Sequence, residues 1–381
     1  MLRVPVPVRS DLDVPRARTC RSKSSYAVLM VPTPVSLIPG RAPPSVRGGL
    51  SYRVGVFRAV LAVCAGGLAL ASCSAGGDAA DVPDPVTSSP APVHPQTATD
   101  SPPECEAEPC YADIAALGHV GPDIVNEVSG MAGSHRSPGL YYMIGDPQGT
   151  SEVAVVREDG SLVGHLEIEG LSARNAEDLA VGPCGPDSAE TCLFIGDIGN
   201  HVGLPDLFVY RIPEPDLDDL PARVAPDSLR YTYPGEPTDA EALLVDREGR
   251  PIVISKARFD ESTGETGPTQ VFRGGRDGGN LEHLSDLQLP LPESPFFADL
   301  VGHVVTAADA TEGRVIVRTY DEIYEYSADS DADTGTFAEW PVRRVPAPFQ
   351  MQSETITYRT GGCGYITTSE LTGEIHGVGC H

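Results

Sequence analysis

Three phrases of the chain read as variants of one another: Asn175-Ala-Glu-Asp-Leu-Ala-Val181, Asp239-Ala-Glu-Ala-Leu-Leu-Val245 and Gln352-Ser-Glu-Thr-Ile-Thr-Tyr358. Each sets a polar residue and a glutamate ahead of a short run of small apolar or β-branched residues, the pattern of a buried strand with a charged entrance. Weaker copies are Glu127-Val-Ser-Gly-Met-Ala132 and Thr306-Ala-Ala-Asp309. Recurrence of this kind marks a repeat architecture, and outward from each phrase the same order returns. After a turn comes a second strand, at Leu140 to Gly145, Cys192 to Gly196, Pro251 to Ser255, Arg314 to Thr319 and Gly364 to Ser369. Third strands follow at Glu152 to Val156, Leu207 to Arg211, Thr269 to Arg273, Glu322 to Tyr326 and Glu374 to Val378. Fourth strands fall at Leu162 to Ile168, Ser228 to Tyr233, Leu281 to Leu289 and Phe337 to Val345. The fifth unit has no fourth strand of its own, and Ala112 to Val120 is placed to supply it.

Helical periodicity is nearly absent from Tyr111 onward, so the fold class is all-β. Four antiparallel strands repeated about every 50 to 60 residues make the blades of a β-propeller, in which radial repetition protects the sheet edges. The reading is a single propeller of five blades closed by an N-terminal strand. A six-bladed ring, with a blade hidden between Val245 and Thr306, is the alternative.

The first 72 residues stand apart. They carry 10 of the 27 basic residues and only 2 of the 54 acidic ones, which leaves 17 basic against 52 acidic in the remainder, a balance of −35. After Arg58, the apolar run Ala59 to Leu70 is too short for a membrane span but suits a signal peptide. The sequence Leu70-Ala-Ser-Cys73 resembles the lipobox of bacterial lipoproteins, which implies cleavage before Cys73 and a diacylglycerol on its sulfur. Residues 1 to about 53, rich in Pro and Arg, read as an upstream extension. From Ser74 to Pro103 the chain is Ala, Asp, Pro, Ser and Thr with almost no large apolar residue, a composition that stays disordered. The expected organisation is therefore residues 1–72 as extension and signal peptide, 73–110 as lipidated cysteine and tether, and 111–381 as the propeller. The protein is expected outside the cytoplasm, held at the outer leaflet of the cell membrane as a monomer.

Six cysteines remain in the secreted part, an even number that suggests three disulfides. Cys363 and Cys380 have equal offsets from the turn Glu370-Leu-Thr-Gly373 and are expected to face each other across a hairpin. Cys184 and Cys192 flank the loop between an innermost and a second strand. Cys105 then pairs with Cys110. The alternative is a clasp from Cys110 to Cys380 that would lock the ring. A zinc site is disfavoured, because the spacings lack a tight knuckle and no His pair accompanies them.

Over most of Glu127 to Ser369 the chain resembles a group of secreted actinobacterial-type β-propeller lipoproteins, loosely similar to phytase-like and gluconolactonase-like propellers. The phrases that carry the resemblance are Glu127-Val-Ser-Gly-Met-Ala-Gly-Ser134, Gly196-Asp-Ile-Gly-Asn200, Tyr210-Arg-Ile-Pro-Glu-Pro215, Asp239-Ala-Glu-Ala-Leu243 and Arg318-Thr-Tyr320. Members often show Asp-Trp-Glu-Asp where this chain has Asn175-Ala-Glu-Asp178, and Gly-Asp-Ile-Gly-Asp-Asn where it has Gly196-Asp-Ile-Gly-Asn-His201. Both departures lose a carboxylate or an aromatic, which weakens any metal or catalytic role carried over from the group.

In a blade the innermost strand starts on one face of the disc and the second strand returns to it, so side chains at those two points ring one mouth of the channel. Strand starts contribute Glu177, Asp178, Glu241, Asp309 and Glu354; second-strand ends contribute Asp146, Asp197, Lys256, Arg318 and Glu370. Eight carboxylates and two cations repel unless a cation or hydrogen bonds compensate. One reading is an oxygen-ligand cation site, with calcium ahead of magnesium because scattered loop carboxylates suit flexible coordination. The other is structural: carboxylates at blade edges accept backbone N–H groups and tie neighbouring blades together.

Catalytic signatures are few. His201 could act as a base, and Lys256 or Arg318 could hold a phosphate or carboxylate. There is no Gly-x-Ser-x-Gly elbow, P-loop, Rossmann glycine pattern or His-Glu-x-x-His helix. Nucleic acid is excluded as a partner by the negative charge. Two functions stay open: a surface module that binds a protein or small-molecule ligand, and a metal-dependent hydrolase of phosphoesters, esters or lactones.

Overall fold

The computed structural model describes residues 109–381 apart from 201–202, 258, 261–264 and 294–302. The signal peptide, Cys73, the tether, Cys105 and His201 lie outside the described residues.

Five blades are present among the described residues, each a meander of antiparallel strands running from the channel outward. Blade 1 is Val128–Gly133, Leu140–Gly145, Glu152–Arg157 and Leu162–Ile168. Blade 2 is Ala176–Pro183, Thr191–Asp197, Asp206–Pro213 and Asp227–Thr232. Blade 3 is Ala240–Val245, Pro251–Ser255, Thr269–Arg273 and Glu282–Leu287. Blade 4 is Val305–Thr311, Arg314–Thr319, Ile323–Ser327 and Val342–Val345. Blade 5 is Thr357–Tyr358, Tyr365–Thr368, Glu374–Cys380 and, outermost, the N-terminal strand Tyr111–His119.

The ring closes where the sequence places the closure. Tyr111 pairs with Cys380 and His119 with Glu374 across an antiparallel ladder. Tyr111 pins this strand to blade 4: its hydroxyl donates to Glu325 Oε1 at 2.5 Å, its ring meets Tyr365 edge-on at 5.0 Å, and Arg343 lies over it at 5.2 Å. Five apolar clusters fill the spaces between adjacent blades, and together they go once round the ring. Leu179 and Ile195 of blade 2 meet Tyr142 and Val155 of blade 1. The final joint is made by Ile366 and Ile375 of blade 5 against Met131 and Met143 of blade 1. Burying both faces of every sheet in this way is the main source of stability, at about 25 cal/mol per Å² of apolar surface removed from water.

Three details depart from the sequence expectation. Ala222–Val224 adds a parallel fifth strand to blade 1, and Gly279–Asn280 does the same for blade 2; each covers an edge that would otherwise expose unpaired backbone. The expected strand Phe337 to Val345 begins only at Val342. Its first half is a 3-10 helix, Thr334–Glu339, capped by the Asp333 side chain accepting from Gly335 N. The turn seats the fully buried Phe337 edge-on against Tyr326 at 5.3 Å, which a strand continuing the blade edge would not do.

Two disulfides match the expected pairs, Cys184–Cys192 and Cys363–Cys380. Cys110 is also disulfide-bonded, and because the other four described cysteines pair with each other, its partner lies outside the described residues. The clasp to Cys380 therefore does not form. Disulfides persist in oxidising compartments, which places the domain outside the cytoplasm. No helix among the described residues is long and apolar enough to cross a membrane.

Candidate functional site

Each innermost strand enters the ring through a bulge, and the bulge decides which side chain faces the mouth. In blade 1 the partners of Val128 and Gly130 are the consecutive residues Gly145 and Ile144, so Ser129 is the extra residue. Glu177 is the extra residue in blade 2, Glu241 in blade 3 and Thr306 in blade 4. In blade 5 the inner chain has one residue more than its partner between the Ser353–Ser369 bridge and the Thr357–Ile366 pair, and Glu354 takes the equivalent place. A bulge bends its strand and re-aims the extra side chain. Five blades thus deliver Ser129, Glu177, Glu241, Thr306 and Glu354, all buried.

A second tier comes from the residue after each second strand, counted in blade 5 from Ser369, whose bridge to Ser353 extends that strand by one. Asp146, Lys256 and Glu370 continue the ladder by one backbone bond, to the carbonyls of Glu127, Asp239 and Gln352 at 3.1, 2.9 and 2.8 Å. In blades 2 and 4 the corresponding residues are Ile198 and Tyr320.

The two tiers form one network. Lys256 Nζ lies 3.1 Å from Glu241 Oε2 and 5.4 Å from the centre of the Tyr320 ring. Tyr320 donates its hydroxyl to Glu354 Oε1 at 3.2 Å. Glu370 stands close enough to Glu354 to raise its pKa, and Gln352 donates to Glu370 at 2.5 Å. Across the mouth, Glu177 accepts from Ser129 Oγ at 2.7 Å and from the Asn175 amide.

Crowding shifts the titration of these groups. Burial is the largest cause in each case. It lifts Glu354 to about 8, with Glu370 adding to the rise, and Glu370 to about 7, with Asp146 adding. Glu241 is lifted to about 8 although Lys256 opposes the rise. Glu177 is raised well above the carboxylate range by burial and by Glu241. Burial works against the Lys256 charge, yet Glu241, Tyr320 and Glu354 outweigh it and hold the ammonium protonated.

Of the residues singled out from sequence, the mouth gathers Asp146, Glu177, Glu241, Lys256, Glu354 and Glu370. It does not gather Asp178, Asp197, Asp309 or Arg318. Asp178 follows the bulge and turns the other way: its carboxylate accepts the N–H of Leu179 at 2.8 Å and of Leu243 in blade 3 at 2.9 Å. Asp309 ties blade 4 to blade 5 by accepting Tyr358 N at 2.7 Å and Thr357 Oγ1 at 2.9 Å. Asp197 accepts the N–H groups of Arg174 and Asn175, both at 2.8 Å, and pairs with Arg174. These three have the structural use of a blade-edge carboxylate. Arg318 is fully buried between blades 4 and 5, donates to Pro348 O at 3.1 Å, and is pulled down to about 9 by burial. Tyr320, Ser129 and Thr306 are the mouth residues that the sequence reading missed.

No group of three or more His, Cys, Asp or Glu side chains among the described residues is arranged to hold a metal ion. Glu241 pairs with the Lys256 ammonium, while Glu177, Glu354 and Glu370 each accept from a neutral donor.

No family model matches the chain, and no curated protein matches it. Solved structures do. Raptor from Chaetomium thermophilum is 13% identical with a TM-score of 0.34, over 68% of this chain and 20% of that one; the chain thus spans about a fifth of Raptor. A putative gluconolactonase is 14% identical with a TM-score of 0.33, over 63% of this chain and 71% of that one. A catalytically inactive virginiamycin B lyase from Staphylococcus aureus, crystallised with quinupristin, is 11% identical with a TM-score of 0.37, over 71% of this chain and 99% of that one. All three scores fall below 0.5, and the propeller assignment rests on the chain's own strand pairing.

Proposed function

We propose that the protein is a ligand-binding propeller held outside the cell by a lipid on Cys73, and that its acidic mouth receives a positively charged group. The arrangement around Lys256 carries this reading. Among the described residues one ammonium stands in the mouth, against Glu241 and Tyr320, whereas Glu177, Glu354 and Glu370 are held by the neutral donors Ser129, Asn175, Tyr320 and Gln352. Carboxyls crowded in this way either keep their protons or take up a cation. Calcium is the inorganic candidate, because it tolerates irregular oxygen coordination. An organic ammonium is the other candidate, since Lys256 already places an ammonium against Glu241 and Tyr320.

The test is thermal melting of the mature protein at pH 8 with calcium, with a chelator and with 1,4-diaminobutane. A cation that binds only the folded state raises the melting temperature by mass action. The expected result is a saturable rise with at least one of the two cations, removed by Glu177→Gln and by Glu241→Gln. Unchanged melting across millimolar amounts of both overturns the reading.

One observation favours a second reading, hydrolysis of a phosphoester, ester or lactone. Glu354 and Glu370 are neighbours that burial lifts to about 8 and about 7, which gives one site an acid and a base close to neutral pH. A phosphatase, esterase and lactonase panel with Glu354→Gln as the control tests it.

A further inference from the structure

Apolar side chains left in water are not spread evenly over the disc. Seven large ones are exposed among the described residues. Three of them belong to outermost strands, where single apolar residues are ordinary. The four most exposed are Leu291 at 87%, Phe349 at 73%, Leu371 at 57% and Met351 at 45%. All four lie in connections on the face of the acidic mouth: between blades 3 and 4, between blades 4 and 5, and in the turn after Glu370.

Met351 and Leu371 border the carboxyls directly. Ser353 and Ser369 form a bridge, Glu370 N donates to Gln352 O at 2.8 Å, and Ser369 Oγ donates to Met351 O at 2.5 Å, so the two chains run side by side away from the mouth. The next residues outward on those chains are Met351 and Leu371. Register thus sets two exposed apolar side chains beside each other and next to Glu370, which is itself only partly buried. Burial, and then Asp146 and Glu127 at the entrance of blade 1, lift Glu370 to about 7. Lys256 pairs instead with Glu241, on its own blade 3.

A ligand for this corner has to answer carboxyls at one end and apolar side chains at the other. A metal ion gains nothing from the apolar part. An uncharged apolar molecule leaves the carboxyls unanswered, and a carboxylate or phosphate is repelled by them. An ammonium with an apolar substituent meets both demands. Its charge pairs with a carboxylate as Lys256 does, and its substituent removes the apolar side chains from water.

We propose that the acidic mouth takes a primary amine carrying an apolar chain or ring, with its ammonium beside Glu370 and its apolar part across Met351 and Leu371. This rests on the reading of the mouth as a cation site and names the class of cation. A methylene fully removed from water gains about fourfold in affinity, and one laid against a surface patch gains about twofold. Hexylamine, four methylenes longer than ethylamine, should therefore bind about tenfold more tightly.

NMR titrations of the mature protein at pH 8 with ethylamine, hexylamine, 1-hexanol, hexanoate and calcium test it, with sedimentation to give the oligomeric state. The expected order is hexylamine about tenfold ahead of ethylamine, with 1-hexanol and hexanoate far weaker than hexylamine. Met351→Ser with Leu371→Ser should bring hexylamine down to the affinity of ethylamine. Both positions are exposed, so the double variant should melt as the unaltered protein does. Equal affinity for the two amines overturns this inference and leaves the cation reading standing, as does binding of calcium with no binding of either amine. Failure of calcium and both amines takes the two readings together. Binding of 1-hexanol as tight as that of hexylamine also overturns the inference, since the patch then covers apolar matter without regard to charge. So does a dimer that the double variant dissolves, which gives the patch to a second copy of the chain.

Discussion

Replacing Glu354 by glutamine tests the electrostatics of the acidic mouth with the least change of shape. The amide oxygen can still accept from Tyr320, and the position is 6% exposed, so solvent gives little screening. In the folded protein Glu354 titrates at about 8, against 4.5 for a free glutamate side chain. Folding therefore takes up a proton between those values, and stability falls as pH rises from about 4.5 to about 8. The sign follows from a raised folded value: the stabilisation is whole below pH 4.5 and is lost as pH passes 8. At about 1.4 kcal/mol per tenfold, a rise from 4.5 to about 8 sets an upper bound of about 5 kcal/mol. Because Glu370 and Glu241 titrate with Glu354 as one coupled set, their contributions do not add. Glu354→Gln should therefore stabilise the cation-free protein at pH 8 by about 2 to 5 kcal/mol and have almost no effect at pH 4.5. That is about 5 to 10 °C in melting temperature for a domain of this size. Melting curves of both proteins at half-unit intervals from pH 4.5 to 9 give the measurement. Parallel curves, or a variant less stable at pH 8, would refute the argument.

Asp178→Ala leaves the buried backbone N–H groups of Leu179 and Leu243 without their acceptor, and urea unfolding should show a loss of about 2 kcal/mol or more; a loss under about 1 kcal/mol would mean the carboxylate does not tie the blades. Opening the Cys363–Cys380 bridge by paired alanine substitution frees a 17-residue separation and should lower stability by about 3 kcal/mol, measured by the same method, with wild-type stability counting against the bridge. Palmitate labelling in cells should mark the protein and be abolished with membrane retention in Cys73→Ala, whereas a mature N-terminus other than Cys73 would contradict the anchor.

Much of the fold was legible because a propeller repeats its instructions. Strand, turn and strand recur with the same acidic entrance, and the unit that lacks a fourth strand sits at the end where Tyr111–His119 can reach it. Hairpin symmetry was enough to pair Cys363 with Cys380. The mouth was half legible. Glu177, Glu241 and Glu354 follow from their place in the phrase, but telling Glu177 from its neighbour Asp178 requires knowing that the strand bulges there, since one residue of register moves a side chain to the other face. The same uncertainty put Arg318 at the mouth in place of Tyr320, two residues on, and Asp309 in place of Thr306. The parallel strands Ala222–Val224 and Gly279–Asn280 left no signal because three- and two-residue pairings are made by the edges they cover, not by a pattern of their own.

Proton release on cation binding tests the central claim most directly, because a cation that enters among carboxyls titrating near 7 and 8 must displace their protons. Calorimetric titration at pH 6.5 in two buffers of different ionisation enthalpy counts those protons. The acidic mouth predicts release of about one proton per cation bound at pH 6.5, falling to none at pH 9 where the carboxyls are already ionised. Binding without proton release at pH 6.5, or release that is the same at both pH values, would contradict it.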